Sequence, residues 1–323
     1  MPTAVRVQQH GGPEVLEVAE VDPAEPGPGE LAIEVAAAGV NYIDTYLRSG
    51  IYPHDLPFTL GQEGAGRVTA VGGEADGFAV GDRVAWQGVL GGYAQQAVLP
   101  AASAVRVPDG VSDETAAAVM LQGMTAHYLV ASTYPVQPGD TVLVHAAAGG
   151  VGLLLVQLAK ARGARVLGTV STAEKEQLAR EAGADEVIRY TETDFAEQVR
   201  KLTGGEGVAV VYDGVGRSTV DGSLASLRPR GMLALFGAAS GPVPPLDPQR
   251  LNAAGSVFLT RPSLPHYTAT RDELDWRARE VFDAVTGGSL RVRIGGSYPL
   301  SEARRAHEDL EGRRTTGKLL LLP

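Results

Sequence analysis

Thr141-Val-Leu-Val-His-Ala-Ala-Ala-Gly-Gly-Val-Gly152 is the stretch on which the fold of this chain turns. An apolar run meets a glycine-rich turn, and the turn opens into a second apolar segment that continues to Gly163. Ala164-Arg-Val-Leu-Gly-Thr-Val170 follows, closed by Ser171. Strand, glycine turn, helix and strand in this order form the unit that seats a dinucleotide pyrophosphate on a helix N-terminus, where unpaired N–H groups and the helix dipole favour an anion. The pattern departs from G-x-G-x-x-G in that Ala147 takes the first position, while Gly149 and Gly152 fill the others, with Gly150 and Val151 between them. The helix predicted after the turn has an apolar face of Val151, Leu154, Leu155 and Leu158, suited to packing on a sheet.

The residues after the second strand select the cofactor. An acid there would bind the ribose hydroxyls of NAD and repel a phosphate; this chain has Ser171 and Thr172, then Lys175, with Tyr190 ending the next apolar run. Hydroxyl and ammonium groups donate to a phosphate, so NADPH is expected. Glu174 and Glu176 flank Lys175, but helical geometry turns them to other faces. Ser171-x-x-Glu174 has capping-box spacing, and Gly163 and Gly183 stand where helices should stop. Ligands bind beyond the carboxyl ends of parallel strands. The ends Asp213-Gly-Val-Gly216, Phe236-Gly-Ala-Ala-Ser240 and Leu259-Thr-Arg261 therefore join the candidate site, through Val215, Phe236, Gly237, Ser240, Leu259 and Arg261. For any one of these positions, plain turn chemistry explains the residue as well as ligand contact does.

Outward from this core the chain reads in three parts. Residues 1–122 are rich in Gly and Pro, with short alternating runs such as Leu31-Ala-Ile-Glu-Val35 and Asp82-Arg-Val-Ala-Trp86, and predict an irregular β domain. Residues 123–262 alternate strands (141–146, 164–170, 186–190, 208–213, 231–236, 256–260) with helices (150–162, 172–182, 194–203, 217–227 and a poorly defined 246–254). That pattern predicts a doubly wound, six-stranded parallel sheet. Residues 263–323 carry amphipathic helices around 271–286 and 301–311 and a closing strand, Lys318-Leu-Leu-Leu-Leu-Pro323. This segment is too short for a domain and is expected to rejoin the first part.

Composition narrows the function. The chain has 323 residues, 44% of them hydrophobic, with no uncharged apolar run long enough to span a membrane and no signal-like start, so a cytoplasmic location is expected. Zero cysteines remove disulfides, thiolate metal sites and cysteine nucleophiles. A net charge of -10 disfavours nucleic acid as a partner, and Arg304, Arg305, Arg313 and Arg314 alternate with Glu302, Glu308, Asp309 and Glu311 as on a solvated helix face. The six histidines, at 10, 54, 127, 145, 266 and 307, have no metal-ligand spacing, and no metal is predicted.

Taken together the chain resembles the zinc-free quinone oxidoreductases of the medium-chain dehydrogenase/reductase superfamily, the group that includes ζ-crystallin. The resemblance runs over nearly the whole length. It is carried by His10-Gly-Gly-Pro-Glu-Val-Leu16, Asn41-Tyr-Ile-Asp-Thr-Tyr46, Arg48-Ser-Gly-Ile-Tyr52, Gly61-Gln-Glu-Gly-Ala-Gly66, the 145–152 turn, Val211-Tyr-Asp-Gly-Val-Gly216, Thr260-Arg-Pro-Ser-Leu264 and Tyr298-Pro-Leu300. It implies a GroES-like catalytic domain made from both chain ends, a Rossmann domain between them, and an active site in the cleft. It further implies a homodimer joined through the edges of the Rossmann sheets. Carried over residue by residue, it places NADPH contacts at Asn41, Tyr46, Thr125, Gly150, Val151, Ser171, Lys175, Tyr190, Phe236, Leu259, Arg261 and Lys318. Zinc-dependent relatives have Gly-His-Glu where this chain has Gly61-Gln62-Glu63.

Without a metal, negative charge developing on the acceptor oxygen needs hydrogen-bond donors. Asn41, Tyr46 and Gln62 are the side chains expected to line that site, with Tyr52 over its mouth; aromatic packing within a loop is the plainer reading of the two tyrosines. Asp44 is expected to be ionised, as an unperturbed Asp is, and to orient its neighbours. Glu63 is expected to pair with an arginine beneath the site. The activity implied is NADPH-dependent reduction of soluble quinones, a small-molecule substrate class. Reduction of the double bond of a 2-alkenal or enone stands as the alternative, and a nucleotide-linked RNA-binding role as a third.

Overall fold

The structure, a computed structural model, describes residues 1–75 and 77–323. It divides into two compact units: Met1–Gln122, Thr270–Gly288 and Val292–Pro323 form the first, and Gly123–Ala269 with Ser289–Arg291 the second. The chain leaves the second unit seven residues later than the sequence suggests. The reason is that Tyr267 stacks on Tyr128 (centroids 4.3 Å apart, planes 6° from parallel) and accepts a 2.9 Å hydrogen bond from Thr133. Residues 289–291 return because the Gln157 amide pairs with the Arg291 backbone in both directions, at 2.8 and 3.1 Å.

In the second unit six strands lie in the order Glu186–Arg189, Arg165–Val170, Thr141–Val144, Val208–Asp213, Leu227–Leu235, Phe258–Thr260, every neighbouring pair parallel. The strand order reverses at Thr141–Val144, the position where ligands settle in sheets of this kind. Val142, Leu143 and Val144 are fully buried, as expected for the middle strand of a sheet covered on both faces. Helices Gly150–Ala161, Ala173–Glu181, Phe195–Leu202, Val220–Ser226 and Gln249–Ala253 supply the crossovers. The core gathers Leu143, Leu167, Val211, Leu233, Val199 and Leu224. Fully burying each such side chain is worth about 1.5–3 kcal/mol.

Two local expectations change. Ser171 does not cap the second helix: Thr172 does, its Oγ1 accepting from Lys175 N at 3.3 Å. That one-residue shift makes Lys175, not Glu174, the third helical position. The strand expected from 231 starts at Leu227, which pairs with Val208 before an irregularity carries the register to Val210 and Met232. Pro229 and the left-handed Arg230 (φ 61°) fall inside that irregularity and disguise the strand's beginning.

The first unit holds a sheet in the order Ile294–Pro299, Lys318–Leu322, Glu30–Val40, Glu63–Val71, Arg83–Gln87, Ala104–Arg106, with Gln96–Pro100 also paired to Glu30–Val40. A smaller sheet joins Leu16–Glu20, Thr3–Val7 and Phe58–Thr59. Lys318–Leu322 is thus an interior strand, antiparallel to Glu30–Val40 and parallel to Ile294–Pro299. Its Leu319 and Leu321 enter the same core as Val5, Leu31, Ile33, Val68, Trp86 and Leu99. Helix Asp113–Tyr128, absent from the sequence expectations, is buried almost all round from Ala116 to Met120, so it has no polar face to give it a 3.6-residue period.

Candidate active site

Register builds the polar centre of the first unit. Leu319 opposite Val40 sets Lys318 beside Asn41, and Gly64 opposite Ala38 sets Glu63 on the other flank of the same strand end. Lys318 and Glu63 meet across Gly39 in a fully buried ion pair. Glycine makes room for the pair: a Cβ would stand 2.6 Å from Lys318 Cε and 2.7 Å from its Nζ, so a larger residue would displace the lysine tip. Glu63 also accepts from Asn41 Nδ2 (2.8 Å) and the Leu121 N–H (2.6 Å). The expected arginine partner of Glu63 is therefore replaced by Lys318, 255 residues distant in sequence. Burial lowers the Lys318 pKa, with the attraction of Glu63 acting against that shift.

Asn41 is the N-cap of helix Tyr42–Arg48 and is 3% exposed. Its Nδ2 donates to Glu63 and to the Gly39 carbonyl (3.2 Å), and its Oδ1 accepts from Lys318 (2.8 Å) and Gln122 (3.2 Å). Two donors and two lone pairs are the whole capacity of an amide. Asn41 consequently has no hydrogen left for an acceptor oxygen, which corrects its expected role as donor: it holds the strand end and the helix start together. Gln62 is the contrasting case, a half-buried amide whose side chain makes no hydrogen bond within the described protein. Tyr46, buried on the helix, meets the partly exposed Tyr52 edge-on at 5.4 Å.

Asp44 makes the carboxylate arm of a capping box with Asn41, its Oδ2 accepting from the Asn41 N–H at 2.8 Å and from the Tyr93 hydroxyl at 2.9 Å. Its Oδ1 is buried without a partner. Burial raises the Asp44 pKa to about 7, against the pull of the Asn41 and Tyr93 hydrogen bonds, so this carboxyl keeps its proton far above the range of the unperturbed Asp expected from sequence. Beyond Tyr93 the chain of contacts continues to His307 Nε2 (3.2 Å), and His307 Nδ1 faces the Arg48 guanidinium at 3.0 Å. Arg48 holds Glu311 through two 3.0 Å bonds. Since arginine can only donate, Nδ1 accepts and the imidazole hydrogen is on Nε2. Burial and the neighbouring guanidinium bring the His307 pKa down to about 3.

The second unit carries the remaining candidates on the rim at the carboxyl ends of its strands. Gly149 caps helix Gly150–Ala161 in an extended conformation (φ -78°, ψ 174°), leaving the first turn's N–H groups directed outward. Gly152 lets the helix approach the turn: a Cβ would lie 2.9 Å from Ala147 Cα. Ala147, the departure from the glycine pattern, is tolerated because Gly168 faces it from the adjacent strand, where a Cβ would come within 2.8 Å of the alanine methyl. Val170 pairs with Arg189, which makes Ser171 and Tyr190 neighbours, and Thr191 Oγ1 donates to the Ser171 carbonyl at 3.0 Å. Glu176, one of the two acids that adjoin Lys175 in sequence, is taken up by Arg180 (3.0 Å) and Arg189 (3.1 Å).

Two further loops interlock on this rim. Val215 N–H donates to Asp213, and the Val215 carbonyl accepts both the N–H and hydroxyl of Ser240, each at 2.8 Å. Phe236 N–H donates to the Asp213 carbonyl at 2.9 Å, and its ring lies over Gly214, where a Cβ would approach to 2.9 Å. Gly237 packs against Gly214 backbone in the same way. Leu259 and Arg261 lie at the exposed end of the last strand, and Thr125 is buried on its helix. Asn41, Tyr46, Tyr52, Gln62 and Lys318 thus belong to the first unit and the other candidates to the second. Sequence reasoning did not find Tyr93, His307 and Arg48. Only the Asn41-x-x-Asp44 spacing was there to be read as a cap.

Two family models match: alcohol dehydrogenase GroES-like domain over residues 27–109, and zinc-binding dehydrogenase over 150–272. A quinone oxidoreductase of Pseudomonas aeruginosa is 48% identical, with all of both chains covered. The chain belongs to the quinone oxidoreductase family of the medium-chain dehydrogenase/reductase superfamily. A mycobacterial member solved in complex with NADPH is 57% identical and superposes with a TM-score of 0.97 over the full length of both chains. A 2-haloacrylate reductase from a Burkholderia species is 45% identical over all of this chain and 99% of its own. Among the described residues of this member, no group of three or more His, Cys, Asp or Glu side chains could hold a metal ion, and no helix is long and apolar enough to cross a membrane.

Proposed function

We propose that this protein is an NADPH-dependent reductase of soluble quinones. The observation that carries this is the convergence of Ser171, Thr172, Lys175 and Tyr190 at the ends of two adjacent strands with no acid at that strand end, beside a glycine turn at the switch point of the sheet. The rim fits a dinucleotide in its chemistry as well: the glycine turn leads straight into the helix Gly150–Ala161, whose first-turn N–H groups have no partner within the helix. Bound there, NADPH supplies a hydride to an electron-poor acceptor. Gly149, Gly150, Val151 and Gly152 offer backbone N–H groups to the pyrophosphate. Ser171, Thr172 and Lys175 hold the additional phosphate, with Tyr190 beside them. Val215, Phe236, Gly237, Ser240, Leu259, Arg261 and Thr125 complete the contacts of the second unit; Tyr46, Asn41 and Lys318 are the cofactor candidates of the first.

For the acceptor, Gln62 supplies the donor, because the Asn41 amide is saturated, and Tyr46 and Tyr52 offer the aromatic wall. Chelation is expected to leave the rate unchanged. The protein acts in the cytoplasm as a homodimer paired through the outer strand of its parallel sheet, where Phe258 is 59% exposed. The 2-haloacrylate reductase among its relatives favours a second reading, reduction of an activated carbon–carbon double bond.

Lys175→Ala should weaken NADPH but not NADH, by about 1.5–3 kcal/mol for one lost charge-assisted hydrogen bond; equal weakening of both would remove the phosphate assignment. NADPH consumption with 1,4-benzoquinone, 1,2-naphthoquinone and a 2-alkenal separates the two activities. Turnover of the alkenal and of neither quinone would reverse their order.

A further inference from the structure

Beneath the rim, four buried polar side chains outside the candidate contacts named above are joined in one line. His145, 2% exposed, ends the strand Thr141–Val144 and places Nδ1 2.8 Å from Thr169 Oγ1 and Nε2 3.0 Å from Ser223 Oγ. The Ser223 hydroxyl donates to Asp213 Oδ2 at 2.9 Å, so its lone pair accepts from His145 Nε2–H, and Nδ1 in turn accepts from the Thr169 hydroxyl. Thr219 donates to the same Asp213 oxygen at 2.7 Å, while Oδ1 accepts the N–H groups of Val215 (2.8 Å) and Gly216 (3.0 Å). Asp213 is fully buried and takes four donors, and Phe195 stands edge-on to the imidazole at 4.8 Å. Burial holds His145 below its ordinary pKa, in keeping with a neutral ring that donates once and accepts once.

The placement is informative because the line touches three separate pieces of the rim. His145 immediately precedes the glycine turn, whose Ala146 is left-handed (φ 49°). Thr169 lies two residues before Ser171, and its carbonyl accepts the Ala147 N–H at 3.1 Å. Asp213 organises the 213–216 turn. A buried polar network of this size gives little net stability over a well-packed apolar one, so its presence asks for a positional reason.

We propose that Thr169, His145, Ser223 and Asp213 are positioning residues for the dinucleotide, a single hydrogen-bonded brace that fixes the spacing of the glycine turn, the phosphate-selecting strand end and the 213–216 turn. The brace rests on the assignment of the dinucleotide site above but concerns the part of the cofactor common to both nicotinamide nucleotides. Two of the three pieces it joins, the glycine turn and the 213–216 turn, serve that common part, so its loss weakens NADH as well as NADPH, unlike loss of Lys175.

The test uses two small substitutions at opposite ends, Ser223→Ala and Thr169→Val, and their double variant. Dissociation constants for NADPH and NADH are read from fluorescence titration of the purified chain, with the ligand-free unfolding midpoint measured alongside. Each single variant should bind both nucleotides about tenfold more weakly, the effect of one buried hydrogen bond. The double variant should be little worse than either, since both break one brace. Unchanged affinities in folded variants, fully multiplicative losses, or a loss confined to NADPH would each overturn the brace. Wild-type protein that binds neither nucleotide would instead overturn the dinucleotide assignment, and the brace with it.

Discussion

Asp44 and His307 flank the Tyr93 hydroxyl, both out of reach of solvent, and burial moves them in opposite senses. Asp44 binds a proton up to about pH 7 when folded and only to about pH 4 when unfolded, so it makes stability fall as pH rises across that window. His307 stays neutral down to about pH 3 when folded but is protonated below about 6.5 when unfolded, so it makes stability rise with pH between those values. From roughly pH 4 to 6.5 the two slopes oppose one another. Asp44→Asn keeps an oxygen for Asn41 and Tyr93 and removes one slope. Its unfolding free energy relative to wild type should therefore climb with pH over that range, by up to about 1.4 kcal/mol per unit. Denaturant melts at three pH values check this, and parallel curves for the two proteins would contradict it. None of this was legible in the sequence, because Tyr93 and His307 reach Asp44 only through tertiary packing. Asp44 itself looked like an ordinary ionised helix residue.

Strands and helices of the parallel unit were far more legible than its polar interior. Apolar runs of four to six residues bounded by glycine have one main explanation when helices alternate with them, and the observed ends differ from expectation by a residue or two in most elements. Where the reading slipped, a local feature hid the element. Pro229 and Arg230 masked the start of Leu227–Leu235, and the all-round burial of Asp113–Tyr128 erased its period. Similarly, Ser171 and Thr172 offered adjacent caps, and spacing alone chose the wrong one. The close approach at Gly152 has a consequence that can be measured. Gly152→Ala would push helix Gly150–Ala161 off the Ala146 and Ala147 backbone. The expected outcome is a loss of about 1–3 kcal/mol in stability from overpacking, accompanied by weaker binding of NADPH and NADH alike. Thermal melts with parallel nucleotide titrations would show it, and unaltered binding would mean that the helix N-terminus is not part of the cradle.

On the scale of the whole molecule, the outer strand of the parallel sheet shows two adjacent exposed apolar side chains, Phe258 (59% exposed) and Leu259 (37%). An uncovered, apolar sheet edge invites pairing with a second copy. Phe258→Lys should shift the protein toward monomer in sedimentation or light scattering while nucleotide affinity stays within about twofold. An unchanged mass would place any dimer contact elsewhere. The other large-scale feature is the interior position of Lys318–Leu322, between Ile294–Pro299 and Glu30–Val40. During synthesis the nucleotide-binding unit has nearly all its residues once position 269 has emerged, and it can condense while elongation continues. The other unit must wait with an unfilled slot in its sheet, and Glu63 without its Lys318 partner, until residues 318–322 leave the ribosome. An arrest or truncation just before that point would yield a chain with one finished half and one that stays open to chaperones and proteases.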